Sequence, residues 1–448
     1  MIDAALSWLS APAVAARFAT LAKGAAASTP VSLTLPLGEG ENDWLAALPA
    51  QGSAFYLAHP GQRRWTLGLG AALEFVTSGP GRFAALRSAA EGVYAAGRWD
   101  EAPRMFFGFS FASRASDGPA ARLVLPTLVL DCRDGRSSLS LNGLAGSFPA
   151  GLAAAKALLA QADGRGPVPA LRQPRDLHDE AWLTRVRSAL REIASGRCEK
   201  LVLAREARFI AARPIPPAPL LATLLARQPD CLTYAAGDGH RIFLGATPET
   251  LVRLSGGHAE ADALAGSAWS DGDSSLDSDK NRREQAHVVS AVRAALAPLC
   301  TGHVLASADE VVHLGHLSHR RTRVSGQPRP GIGLFDLIDA LHPTPAVGGH
   351  PRPEALEWLH RHGEERPAWY SGGIGEIGPA GQGAAAVALR CALLEGAEAR
   401  LWAGAGIVAG SDPRAELAET EAKFHTLATA LAHPLPPLSS RPPHRISA

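Results

Sequence analysis

Paired cysteines are missing from this 448-residue chain. Its five, Cys132, Cys198, Cys231, Cys300 and Cys391, are odd in number, far apart and never in a CxxC spacing. That argues against a disulfide framework or a zinc site and suits a reducing cytoplasm. Long apolar runs are missing too, since no stretch approaches the roughly 18 to 20 apolar residues of a membrane span. The start, with Asp3, Arg17 and Lys23, has no basic segment leading into an apolar one, so no signal peptide is expected. Nor is there surplus charge: 44 basic residues against 43 acidic ones leave +1, without the electrostatic footprint of a nucleic-acid or membrane-surface protein. No short-period repeat is visible. What is present is 46% hydrophobic side chains, enough for one large domain or two ordinary ones serving a small molecule.

Along the chain, strand-like runs at 64–76, 104–112 and 123–130 alternate with alanine-rich helical stretches such as 84–96. The run GRGPVPALRQPRDLHD between 164 and 179 reads as a linker, dividing residues 1–170 from residues 171–433. A helix is expected over 180–195, a strand from Lys200 (KLVLAREARFIA), and a meander of short strands over 231–264. Two longer helices, 278–296 and 413–431, bracket a strand pair turning at Glu395-Gly396. Residues 434–448 read as a proline-rich, disordered tail. Hairpin-joined strands with helices in separate blocks predict an α+β fold with antiparallel sheets.

Some polar residues sit where they invite chemistry. In the last helix Glu416, Glu419 and Lys423 share a face at spacings of three and four, which is either a solvated ion-paired face or a site. Glu284 falls on the apolar stripe of Val288, Ala291 and Val292, where a carboxylate needs a partner. With a second carboxylate it can hold a hard cation such as magnesium; a helix-end glutamate reaching solvent gives the same pattern. Arg390 alternates with Ala386, Ala388 and Ala392, leaving room for bidentate capture of a carboxylate, or marking an exposed sheet face. Gly404-Ala405-Gly406 at the end of the next strand let backbone amides approach an anion, although tight turns use the same triplet. Taken alone, Lys200 reads as solvated, Glu249 as a turn residue and His319, among Arg320, Arg321 and Arg323, as a surface histidine.

Together the segments KLVLAR, FLGATPETLVRL, ALAGSA, LHPTPAVGGHPR, WYSGGIG, VALRCALL and WAGAGIVAGSDPRAELAETEAK resemble the chorismate-utilising enzymes, from about 180 to 432. That family includes isochorismate, salicylate, anthranilate and aminodeoxychorismate synthases. The N-terminal third resembles the family's variable region, with FFGFSF and LPTLVL in the expected places.

The resemblance implies large antiparallel sheets packed as a sandwich and surrounded by helices, with chorismate as substrate and Mg²⁺ as cofactor. It implies Lys200 as general base on a water and Glu249 as general acid, flanking the ring, with His319 near the reacting ring. Glu284, Glu419 and Glu416 fall on or beside its magnesium positions. Arg390, Lys423, Gly404, Ala405 and Gly406 would hold carboxylate oxygens, with Gly266, Ser267 and Ala346 also lining the substrate.

Three features imply the isochorismate-forming branch: the base Lys200, alanine rather than a lysine nucleophile at position 265, and the PTPAVGG form around Ala346. Salicylate synthesis, in which the same site goes on to eliminate pyruvate, is the alternative. An inactive chorismate-binding relative is a further one, disfavoured because acid, base and metal ligands are all present. A monomer without a glutaminase subunit is expected. The chain departs from the family at Gln285, usually histidine, at His350, usually phenylalanine, and at Arg320, usually apolar. The basic residue usual after ALAGSA is also missing. Gln285 adjoins a proposed metal ligand and is expected to affect metal affinity or rate.

Overall fold

The structure is a computed structural model that describes residues 2–115, 117–160, 169, 171–172, 179–269, 276–277, 279–314, 317–364 and 366–432. Apart from 169, 171, 172 and 179, the expected linker lies outside the described residues, as does the expected tail.

Two large sheets form the frame, and among the described residues every pairing but one is antiparallel. The larger runs through Lys200–Ala211, Glu398–Val408, Cys391–Glu395, Arg241–Thr247 and Leu232–Gly239, then Gly52–His59, Arg64–Leu69, Leu128–Arg133, Arg136–Leu144 and Pro30–Glu39. The smaller runs through Cys300–Ala306, Leu317–Pro328, His258–Trp269, Thr250–Ser255 and Gly383–Val387, then Gly373–Ile377, Met105–Phe109, Ala121–Leu125 and Leu73–Thr77. Alternation sends successive side chains to opposite faces, so the central strands meet the other sheet on one side and helices on the other. Between the sheets lie Phe55, Phe106, Tyr234, Phe243, Ile374 and Trp402. Outside the larger sheet pack the helices Ile2–Leu9, Pro12–Ala22, Pro217–Arg227 and Pro413–Ala432, through Leu9, Phe18, Leu221 and Leu427. Outside the smaller pack Arg82–Ala96, Asp279–Leu296 and Leu334–Leu341, through Phe83, Val288 and Phe335. The expected α+β sandwich with surrounding helices is therefore the fold. Among the described residues no single helix is long and apolar enough to cross a membrane.

Several elements follow the sequence reading closely: Asp179–Ala194, Lys200–Ala211 and Pro413–Ala432 form, and the last hairpin turns at Gly396 with φ of 58°. Three apolar runs read as single strands are instead broken, because the chain changes sheet inside them. Arg64–Leu69 and Leu73–Thr77 belong to different sheets, separated by Gly70 at φ +69°, where a Cβ would come within 2.8 Å of Leu158. Pro126 separates Ala121–Leu125 from Leu128–Arg133 in the same manner. The stretch that carries Ala386 to Ala392 crosses at Ala388-Leu389-Arg390, and Arg390 takes φ +47°. The meander 231–264 also crosses, at Pro248-Glu249. Arg390 is thus at a corner, and the single-strand alternation with Ala386 and Ala392 does not hold.

Candidate active site

A cavity opens where both sheets meet the helices Asp279–Leu296 and Pro413–Ala432, the kind of concave, partly polar place where small molecules bind. Lys200, Glu249, Gly266, Glu284, His319 and Ala346 line it, as do Arg390, Gly404, Gly406, Glu419 and Lys423. Ala405 does not: strand alternation turns its methyl into the core with Leu203 and Ile407. Glu416 is buried one helical turn before Glu419, behind the lining. The backbone of Ser267 pairs opposite His319, while its side chain lies outside what is described.

Lys200 opens its strand between Val408 and His350 on the two flanking strands. It is 1% exposed rather than solvated, and its Nζ donates to Glu284 Oε1 at 2.6 Å. Glycine at 406 leaves room for this pair as it stands. A Cβ there would stand 2.7 Å from Glu284 Oε1 and 2.8 Å from Lys200 Cε. Gly404 is as constrained, its Cβ position lying 2.7 Å from the Tyr370 hydroxyl. The two glycines sit within the strand Glu398–Val408 rather than at its end. Pairing with Cys391–Glu395 stops at Trp402, which uncovers that edge. The Gly404 carbonyl accepts from Lys423 Nζ at 2.7 Å, and Lys423 also donates to Glu419 Oε1 at 2.7 Å.

Glu249 sits in the sheet-to-sheet crossing, 3% exposed, and its Oε1 has no hydrogen-bond partner among the described residues. Burial pushes its carboxyl up to about 8, and the nearby Asp262 adds to this against the opposing pull of Lys200 and Lys423. A protonated carboxyl at neutral pH is a proton donor.

His319 is buried and held down at about 3, by burial first and then by Arg390 and Lys423. The neutral ring accepts from Arg390 Nη2 at 3.2 Å and meets the Gly266 backbone. Gly266 is the bulged residue between the Ala265 and Ser267 pairings, at φ +69°. The bulge turns its carbonyl to the imidazole, and the imidazole in turn aims the guanidinium. Arg390 is buried, with Nη1 unpartnered among the described residues, as a carboxylate receptor requires.

Glu284 and Glu419 thus face one cavity, each neutralised by an ammonium from this chain. An oxygen-only pair of carboxylates, backed by Glu416, matches the donor chemistry of a hard divalent cation such as magnesium. Gln285 turns away from the cavity: its Nε2 donates to the Ala263 carbonyl and to Thr322 Oγ1, both at 2.9 Å, and fastens the helix to two strands. Arg320 is drawn outward by Asp277 and Asp309.

Two contributors escaped the sequence reading. Asp262, 6% exposed, accepts from the Thr250 amide at 3.1 Å and raises Glu249. Its signal was available, since it alternates with Leu264 and Gly266 on the face opposite Ala261, Ala263 and Ala265. Tyr370 lines the cavity against Gly404 from a loop that periodicity does not address.

The chain is 36% identical over 263 residues to the salicylate biosynthesis isochorismate synthase of Pseudomonas aeruginosa, covering 56% of this chain and 54% of that protein. To isochorismate synthase MenF of Bacillus subtilis it is 35% identical over 271 residues, 57% and 56% of the two chains. The matches therefore span little more than half the length of these relatives. Among solved structures, MenF, the menaquinone-specific isochorismate synthase of Escherichia coli, superposes with a TM-score of 0.77 at 26% identity, over 93% of this chain and 99% of that one. A 2,3-dihydroxybenzoate-specific isochorismate synthase, DhbC, from Bacillus anthracis gives 0.69 at 27% identity, over 86% and 98%. Residues 20–432 match the chorismate binding enzyme family, and the chain belongs to that family.

Proposed function

We propose that this protein is an isochorismate synthase, converting chorismate reversibly to isochorismate with Mg²⁺. The observation that carries the reading is one cavity holding a lysine amine and a carboxyl raised to about 8, Lys200 and Glu249. In the forward direction Lys200 removes a proton from water as its oxygen bonds to ring carbon 2. The ring double bonds shift, the carbon–oxygen bond at carbon 4 breaks, and Glu249 protonates the departing hydroxide. Water enters and water leaves, so mass is unchanged, and the reverse reaction exchanges the two roles. Arg390, aimed by His319, and Lys423 receive carboxylate oxygens and fix the ring relative to acid and base. Glu284 and Glu419, supported by Glu416, would hold the magnesium, whose charge would neutralise a substrate carboxylate. Position 265 carries alanine, which offers no amine for covalent attack on the ring.

The relatives' names support this branch, since the Bacillus subtilis protein and both solved structures are described as isochorismate synthases. Incubating the purified protein with chorismate and Mg²⁺, against an EDTA control, tests it. An isomer of unchanged mass, formed only with metal, is expected. Salicylate with pyruvate would transfer the protein to the lyase branch, and unchanged chorismate would overturn the reading.

A further inference from the structure

Beside the cavity, but outside its lining, Glu199, His287 and His350 converge. One ligand atom from each lies within 4.8 Å of the other two. His287 Nδ1 stands 3.3 Å from Glu199 Oε2, and the two imidazole rings are 5.3 Å apart, tilted by 31° rather than stacked face to face. We propose that these three side chains form a second cation site, selective for a borderline divalent ion of the zinc class.

The donor set supports this. Two imidazole nitrogens with one carboxylate suit Zn²⁺, Co²⁺ or Ni²⁺, whereas magnesium favours oxygen alone. Three protein ligands leave a coordination position open to water. A tetrahedral site with bonds of about 2.0–2.1 Å brings ligand atoms to roughly 3.3–3.5 Å of one another. The pair His287 and Glu199 already meets that separation, and the remaining closure is a side-chain rotation. Glu199 is exposed and both histidines are half-buried, so an ion can enter from solvent and the side chains can adjust.

The scaffold is rigid where it needs to be. The Glu199 amide donates to the His350 carbonyl at 2.8 Å, and Lys200 pairs directly with His350. His287 comes from the facing helix, three residues beyond Glu284. An ion here therefore joins the strand that carries Lys200 to the helix that carries Glu284, a tie between the two elements of the Lys200–Glu284 ion pair made from outside the cavity. None of its three ligands belongs to the acid, base or magnesium machinery.

The test is titration of the full chain with Zn²⁺ by calorimetry in saturating Mg²⁺, so that the carboxylates of the cavity are occupied. A parallel Co²⁺ titration is followed by visible absorption. One Zn²⁺ per chain is expected, with a Co²⁺ spectrum unlike that of the hydrated ion and a rise in melting temperature on binding. His287→Asn and His350→Phe, each shown folded by its own melt, should both lose the Zn²⁺ heat and the Co²⁺ bands while still converting chorismate with Mg²⁺. A wild-type chain that takes up no Zn²⁺ under these conditions, or a folded double variant that binds it as the wild type does, would overturn the site. Failure of chorismate turnover in every form would count against the isomerase reading and leave the metal result to stand by itself.

Discussion

Lys200 Nζ donates to Glu284 Oε1 at 2.6 Å, so the proposed base and a proposed magnesium ligand hold each other in the ligand-free protein. The amine can accept a proton from water only after giving up the one it shares with this carboxylate. Lys200→Ala should lower kcat by about 10²–10⁴-fold, the usual worth of a positioned base. The same variant leaves a half-buried carboxylate without its ammonium, so thermal melts must accompany the rate assay. A folded Lys200→Ala enzyme at full rate would remove the lysine from the mechanism.

Gly406 controls that pair sterically. Gly406→Ala puts a methyl 2.7 Å from Glu284 Oε1 and 2.8 Å from Lys200 Cε, in a mid-strand position that alanine otherwise tolerates. Turnover should fall by at least about tenfold, since misplacement of about 1 Å can cost about 10²-fold, with little loss of secondary structure by circular dichroism. Unaltered kinetics would mean that the cavity yields easily at this point.

Glu249 is expected to make both activity and stability depend on pH. As the proposed acid it works protonated, so turnover should fall as pH rises through about 8. For stability the folded value, about 8, lies above the ordinary 4.5. The folded state then holds the proton more tightly, so this residue's share of stability is intact below about 4.5 and is lost as pH climbs towards 8. Glu249→Gln should therefore melt a few degrees higher than wild type near pH 9 and match it near pH 4, while losing roughly 10²–10⁴-fold in rate. Melting curves that stay parallel across this range would show that the carboxyl is not tuned by burial.

Arg390→Lys tests carboxylate capture. Lysine keeps the charge but loses the planar fork and the contact that His319 makes with the guanidinium. KM for chorismate should rise by about tenfold or more, with a smaller change in kcat. A drop confined to kcat would move Arg390 from substrate binding to the chemical step.

Gln285→Leu should leave metal dependence unchanged and cost about 1–3 kcal/mol, because Gln285 bonds Ala263 and Thr322 rather than anything in the cavity. Chemical denaturation gives the stability and an EDTA and Mg²⁺ titration the metal response; a shifted Mg²⁺ requirement would tie Gln285 to the metal after all.

Local pattern made much of this molecule legible. Apolar periodicity located the helices Asp179–Ala194 and Pro413–Ala432, and Glu395-Gly396 located the final hairpin, because these depend on near neighbours. The motifs then gathered Lys200, Glu249, Glu284 and Glu419, which lie far apart in sequence, around one cavity. What pattern could not supply was which sheet a strand joins. The runs 64–76 and 123–130 look continuous, and only Gly70 and Pro126 mark where each divides. Exposure was misjudged for the same reason: Lys200 and His319 look like surface residues until both sheets are assembled around them. Glu416 carries the right spacing yet stands behind the cavity, a depth that helical periodicity leaves open.

The crossings between sheets have a mechanical consequence. Glu249 and Arg390 each stand on a segment that leaves one sheet and enters the other, whereas Lys200 lies wholly within the larger sheet and Glu419 on a helix packed against it. A shift of the smaller sheet relative to the larger would move Glu249 and Arg390 relative to Lys200 and Glu419. The aromatic layer of Phe55, Phe106, Tyr234 and Phe243 fills the space between the sheets, so its thickness fixes how far apart the sheets that carry the proposed acid and base can stand. A substitution deep in that layer, such as Phe106→Leu, is then expected to change turnover while leaving every residue of the cavity lining unaltered.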